Sequence, residues 1–148
     1  LIVCIDPGTT CIGIAVFDKS QNALVSCDLV RGEDWIDTSN RLPDFENLET
    51  LVIEDPRIYP VSKARANDLM KLAKSVGAIV AKVDAQFTKL VTPATWKGSV
   101  PKRIHQKRIL RALTAEEKTI LNKCPCPKSL LHNTIDAVGI GLWYLRRM

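Results

Sequence analysis

The chain has 148 residues, 46% of them hydrophobic, and 21 Lys and Arg against 16 Asp and Glu give it a formal charge of +5. That length fits one domain with a real core, and that composition excludes a disordered or low-complexity polymer. No apolar run approaches the ~20 residues of a membrane span, and the opening run lacks a basic leader and is broken by Asp6, so neither a span nor a signal peptide is expected.

Leu1 to Asp6 reads as a short buried strand and Pro7-Gly8-Thr9-Thr10 as a turn. Cys11 to Phe17 is a second strand, Asp18 to Asn22 a hairpin turn and Ala23 to Cys27 a third strand, giving an antiparallel meander. Arg31 to Leu48 is polar and weakly patterned, a loop or a short helix. Thr50 to Glu54 is a further strand, stopped by Asp55-Pro56. Ser62 to Val76 reads as a helix capped by Ser62, with Ala66, Leu69, Leu72, Ala73 and Val76 at helical period and Gly77 at its end. Ala78 to Val83 fits a continuing helix or a strand, and Phe87 to Val91 a strand.

Thr92-Pro93 opens a short helix. An amphipathic helix follows, with Ile104, Ile109, Leu110 and Leu113 as its apolar stripe and Lys102, Arg103, Lys107, Arg108 and Arg111 on its solvent side. Thr114-Ala115-Glu116-Glu117 has the pattern of a helix cap. Leu131 to Leu145 is a last helix that turns Ile135, Val138, Leu142 and Leu145 inward, with Gly139 and Gly141 allowing close approach to a sheet. A meander followed by strand and helix units specifies an α/β fold, a mixed sheet with helices packed on it.

Charge is segregated. The stretch from Lys97 to Arg111 is basic without a single acid, whereas Asp28 to Glu54 is mostly acidic. A basic segment of this kind fits either a polyanion partner or a solvated helix face. The five cysteines are odd in number, and three lie in apolar runs, which points away from a disulfide scaffold and toward a reducing interior. Cys124-Pro125-Cys126 reads as a turn with semi-buried thiols, since no second pair stands at zinc-site spacing.

Asp6 and Glu54 each close an otherwise apolar strand, and Asp136 lies early in the last helix. If the first and fourth strands are neighbours, both strand-end acids converge with Asp136, an oxygen-donor set of the kind Mg²⁺ takes. Two such ions activate water and stabilise the leaving oxygen of a phosphodiester. Each acid has a plainer role open to it, as a turn former, a solvated strand end or a charge near a helix start. Asn133 and His132 precede Asp136 by three and four residues and share its helix face. Gly8, Thr9 and Thr10 also suit a phosphate cradle, but the segment lacks the lysine and spacing of a nucleotide-binding P-loop.

Asp6-Pro7-Gly8-Thr9-Thr10 with Gly13, then Ile53-Glu54, then Asp136-Ala137-Val138 resemble, in order and in context, the RuvC family of Holliday junction resolvases, in a bacteriophage branch. The resemblance covers most of the chain and implies a ribonuclease H-like fold of about five strands in a single domain. It implies a homodimeric endonuclease that cuts four-way DNA junctions with two Mg²⁺ or Mn²⁺ ions, without an organic cofactor or a membrane, in the cytoplasm of a bacterial host. Asp6, Glu54 and Asp136 would be the metal-binding acids. The fourth ligand falls on Asn133, where the family has Asp or His, with His132 as its neighbour. Lys97, within Thr95-Trp96-Lys97, would contact the scissile-strand phosphate. Lys102, Arg103, Lys107 and Arg108 would grip the DNA backbone. Arg57 replaces an aromatic residue that stacks on bases in bacterial members, leaving Tyr59 for that task. Two other readings remain: a YqgF-like nuclease acting on RNA, and a branched-nucleic-acid binding protein that has lost catalysis. The homodimer contact would fall on the helix from Ser62 to Val76.

Overall fold

The computed structural model describes residues 1–57 and 65–148. Its centre is a five-stranded sheet in the order β3-β2-β1-β4-β5. The strands are β1 (Ile2–Asp6), β2 (Cys11–Asp18), β3 (Ala23–Arg31), β4 (Thr50–Glu54) and β5 (Phe87–Val91). The first three are antiparallel neighbours, and β1, β4 and β5 run parallel. The helices are α1 (Trp35–Asn40), α2 (Ala66–Lys82), α3 (Pro93–Trp96), α4 (Lys102–Ala112), α5 (Ala115–Asn122) and α6 (Leu131–Tyr144). This is the mixed sheet flanked by helices that the strand and helix order implies. Among the described residues no helix is long and apolar enough to cross a membrane.

Side chains alternate across β1, so the sheet has two apolar faces. Ile2 and Cys4 join Val52, Phe17 and the α6 residues Ala137, Val138 and Ile140 in one core. Val3 and Ile5 join Leu51, Ile53 and the α2 residues Val76 and Ile79 in the other. Each fully buried aliphatic or Phe side chain contributes about 1.5–3 kcal/mol. The α6 layer sits unusually close to the sheet. A Cβ on Gly13 of β2 would stand 2.2 Å from the Asn133 carbonyl oxygen, and one on Gly141 would stand 2.0 Å from the Phe17 ring. On the other face, α1 and α2 hold the turn after β1: Thr38 Oγ1 donates to Thr9 O at 3.1 Å and Ser75 Oγ donates to Gly8 O at 3.0 Å.

Three elements depart from the sequence reading. The helix after β4 begins at Ala66 and runs through Gly77 to Lys82; the proposed cap Ser62 lies outside the described residues. Gly77 is exposed and does not stop it, because burial of Val76, Ile79 and Val83 outweighs the ~1 kcal/mol that an interior glycine costs. β3 runs past its expected end at Cys27 to Arg31, and the polar stretch after it takes the short-helix reading as α1, whose N-terminus is capped by Asp34 accepting from the amides of Ile36 and Asp37. In α4, Ile104 and Leu110 are exposed, and the inward residues are His105 and Ile109. His105 and Ile109 are one helical turn apart, whereas Ile104 and Ile109 are five residues apart and cannot share a face.

Candidate active site

Parallel register sets Ile5 of β1 beside Ile53 of β4, so Asp6 and Glu54 leave the sheet side by side at its carboxyl edge. By alternation both fall on the face covered by α6, with Cys4 and Val52. Asp136 comes down onto this edge from α6 and is 4% exposed. The close approach at Gly13 is what brings the first turn of α6, and Asp136 with it, to the ends of β1 and β2. Burial, then the charges of Asp136 and Glu54, push the Asp6 carboxyl well above the usual carboxylate range, against the pull of Lys102 and Lys97. The three acids therefore share one electrostatic neighbourhood.

Two short segments supply their partners. From α3, Trp96 Nε1 donates to Glu54 Oε2 at 2.6 Å, and Lys97 Nζ stands 3.3 Å from the same oxygen. From α4, Lys102 Nζ lies 2.7 Å from Asp136 Oδ2, and Gln106 Nε2 donates to Asp136 Oδ1 at 3.0 Å. His105 lies buried behind them, with its ring edge-on to Trp96 at 5.0 Å. Among the described residues its Nε2 has no hydrogen-bond partner, and burial lowers its pKa against the pull of Asp136. Lys97 and Lys102, the expected phosphate contacts, each pair with an acid of the site. The Lys102 side chain is 56% exposed, so it is able to swing between the carboxylate and solvent.

The other candidates spread further out. Asn133 donates from Nδ2 to Cys11 Sγ and to Leu130 O, both at 3.3 Å. His132 Nδ1 pairs with Ser129 O at 3.0 Å. Neither hydrogen-bonds to the three acids. Arg103, Lys107 and Arg108 lie exposed along α4. Arg57 pairs with Asp55 at 2.9 Å, and Tyr59 lies outside the described residues. Cys124 and Cys126 form a semi-buried turn closed by Cys126 N–H to Cys124 O at 2.8 Å.

Trp96, His105 and Gln106 escaped the sequence reading as site residues. The spacing of Lys102 and Gln106, one helical turn apart, is a signal that both serve one face. Nothing local marks Trp96 as a donor, since its partner lies on a distant strand.

The donor chemistry fits a divalent cation: carboxylates share one sheet edge, and burial, then the charges of Asp136 and Glu54, raise the Asp6 pKa. Among the described residues, however, no three acidic, histidine or cysteine side chains stand close enough to hold an ion as they are placed. Glu54 is engaged by Trp96 and Lys97 and Asp136 by Lys102 and Gln106, so these acids could hold an ion together only after their side chains rotate.

No family model matches the chain, and no curated protein does. Solved structures do. Thermus thermophilus RuvC in complex with a Holliday junction substrate is 19% identical, with 98% of this chain and 94% of that chain covered at a TM-score of 0.52. A further Thermus thermophilus RuvC structure is 17% identical, with 98% and 95% covered at 0.53. The Fowlpox virus resolvase in complex with its Holliday junction is 16% identical, with 100% of both chains covered at 0.53. At these identities the likeness is one of architecture. The mixed five-stranded sheet with its flanking helices is the ribonuclease H-like fold that these resolvases share with this chain.

Proposed function

We propose that the protein is a metal-dependent endonuclease that resolves four-way DNA junctions and other branched DNA. The observation that carries this reading is the exit of Asp6 and Glu54 from adjacent parallel strands, with Asp136 and Glu54 in electrostatic reach of Asp6 and a basic helix beside them. The fold likeness supports it, since two of the similar structures hold a Holliday junction.

Asp6, Glu54 and Asp136 would hold the cations, with Asn133 or His132 completing the set. When bound, two such ions supply an activated water and charge neutralisation at the leaving 3′ oxygen of a phosphodiester. The chain's own groups do the rest. Gln106 keeps one Asp136 oxygen occupied and orients that carboxylate. Lys97, half-buried against Trp96, would hold a non-bridging oxygen of the scissile phosphate. Lys102, once displaced from Asp136, would join Arg103, Lys107 and Arg108 on backbone phosphates, contacts that position DNA without reading its sequence. Arg57 and Tyr59 would meet the branch point. A second copy of the chain would pair along the first half of α2, where Met70 is 59% exposed, and present two sites to opposing strands.

Nicking of a four-way junction by the purified chain with Mg²⁺ or Mn²⁺, set beside linear duplex and structured RNA, tests the proposal. Preferential cutting of the junction is expected. Preferential cutting of RNA would replace it with the YqgF-like reading, and junction binding without cutting would leave only a binding protein.

A further inference from the structure

We propose that Trp96 is the positioning residue of Glu54, and that its indole N–H governs how tightly this site takes a divalent cation. The inference rests on the metal-site reading above. Trp96 is 4% exposed, and its Nε1 donates to Glu54 Oε2 at 2.6 Å. The ring has little freedom. His105 stands edge-on to it at a centroid distance of 5.0 Å. On the α6 side, a Cβ at Gly139 would lie 2.9 Å from Trp96 Cζ3, so the indole occupies the space that this glycine leaves. A locked ring gives its N–H one direction and therefore gives the Glu54 carboxylate one preferred orientation.

The chemistry of the donor matters as much as its placement. An indole N–H satisfies a carboxylate lone pair and leaves the full negative charge for a cation. Lys97 Nζ, 3.3 Å from the same Oε2 and 4.9 Å from the indole centroid, does the opposite, because an ammonium competes with an incoming ion. Trp96 shares this oxygen with Lys97; without the N–H, Glu54 is left to the ammonium. Outer partners of metal-binding carboxylates commonly control affinity by 10–100-fold.

The experiment is calorimetric titration of Mn²⁺ into the metal-free full chain, without DNA, for wild type, Glu54→Gln, Trp96→Phe and the double variant. Trp96→Phe is expected to weaken Mn²⁺ binding about tenfold, and to add less than about twofold in the Glu54→Gln background, because coupled residues are non-additive. An equal loss in both backgrounds would mark general packing damage and overturn the inference. Weakening by Glu54→Gln with Trp96→Phe unchanged would overturn the inference alone. No Mn²⁺ binding by the wild type, or none lost in Glu54→Gln, would overturn the metal-site reading itself. A second readout serves should Trp96→Phe fail to fold. The chain has three tryptophans, so Trp35→Phe with Trp143→Phe leaves Trp96 as the lone emitter. Mg²⁺ should shift its emission, and should not when Glu54→Gln is added; emission indifferent to Mg²⁺ would contradict the proposal.

Discussion

Carboxylates at the ends of adjacent parallel strands repel one another unless a cation or a proton intervenes. Here Lys97 serves Glu54 and Lys102 serves Asp136, and Asp6 is left with its carboxyl pushed above the usual range by burial and by both neighbours. Asp6 was legible in the sequence because it is the lone charge leaving an apolar strand, and Glu54 for the same reason. Trp96, His105 and Gln106 were not, because their roles arise only when α3 and α4 dock over the sheet edge. Lys102 shows the same limit: its charge was evident, but its contact with Asp136 is a tertiary fact. An ion pair with one exposed partner is worth up to ~1 kcal/mol, so Lys102→Met should bind Mn²⁺ up to about fivefold more tightly by calorimetry. The same variant should bind a four-way junction more weakly in a gel-shift titration. Weaker Mn²⁺ binding by this variant would show that Lys102 organises the acids rather than competing for them.

At the scale of elements, the C-terminal tail is held by one buried ion pair. Glu117 opens α5 in a capping box with Thr114, accepts from the Leu24 amide of β3 at 2.8 Å, and pairs with Arg147 at 2.6 Å. Arg147 also donates to Asn22 O and Ala112 O, so α4, α5, the β2–β3 turn and the chain end meet at this point. Burial alone would raise the Glu117 pKa, but Arg147 and the Leu24 and Thr114 amides outweigh it and hold it at about 2. A depressed folded-state pKa stabilises above the unfolded value near 4.5 and loses that contribution as pH falls from there toward 2. Urea unfolding should therefore show the wild type losing its advantage over Glu117→Gln between about pH 4.5 and 2. A gap that stays constant across that range would contradict this assignment. The capping box itself was readable from Thr114-Ala115-Glu116-Glu117, whereas its long-range partner was not. In α4 the sequence misled, because isoleucine and leucine outrank histidine on hydrophobicity, yet docking buries His105 and exposes Ile104.

For the whole molecule, the meander of β1 to β3 and the mixed sheet follow from local signals, a tight turn after Asp6 and a hairpin at Asp18 to Asn22, whereas the parallel pairing of β1 with β4 is open in the sequence and is seen only in the fold. The joint between α6 and the sheet is less visible. Gly141 takes the close approach to the sheet expected of it, against Phe17 of β2, but Gly139 faces Ile109 of α4 and Trp96, and Gly13, which packs under the Asn133 carbonyl, carries no such signal in the sequence. That approach carries Asp136 to Asp6 and Glu54, and so joins the fold to the proposed chemistry. The most direct test is Asp6→Asn, assayed for metal-dependent cleavage and, separately, for binding of a four-way junction. Cleavage should fall at least about a thousandfold, in keeping with the rate enhancements such charge stabilisation supplies, while junction affinity stays within about threefold of wild type. Cleavage that persists in Asp6→Asn would contradict the three-acid site.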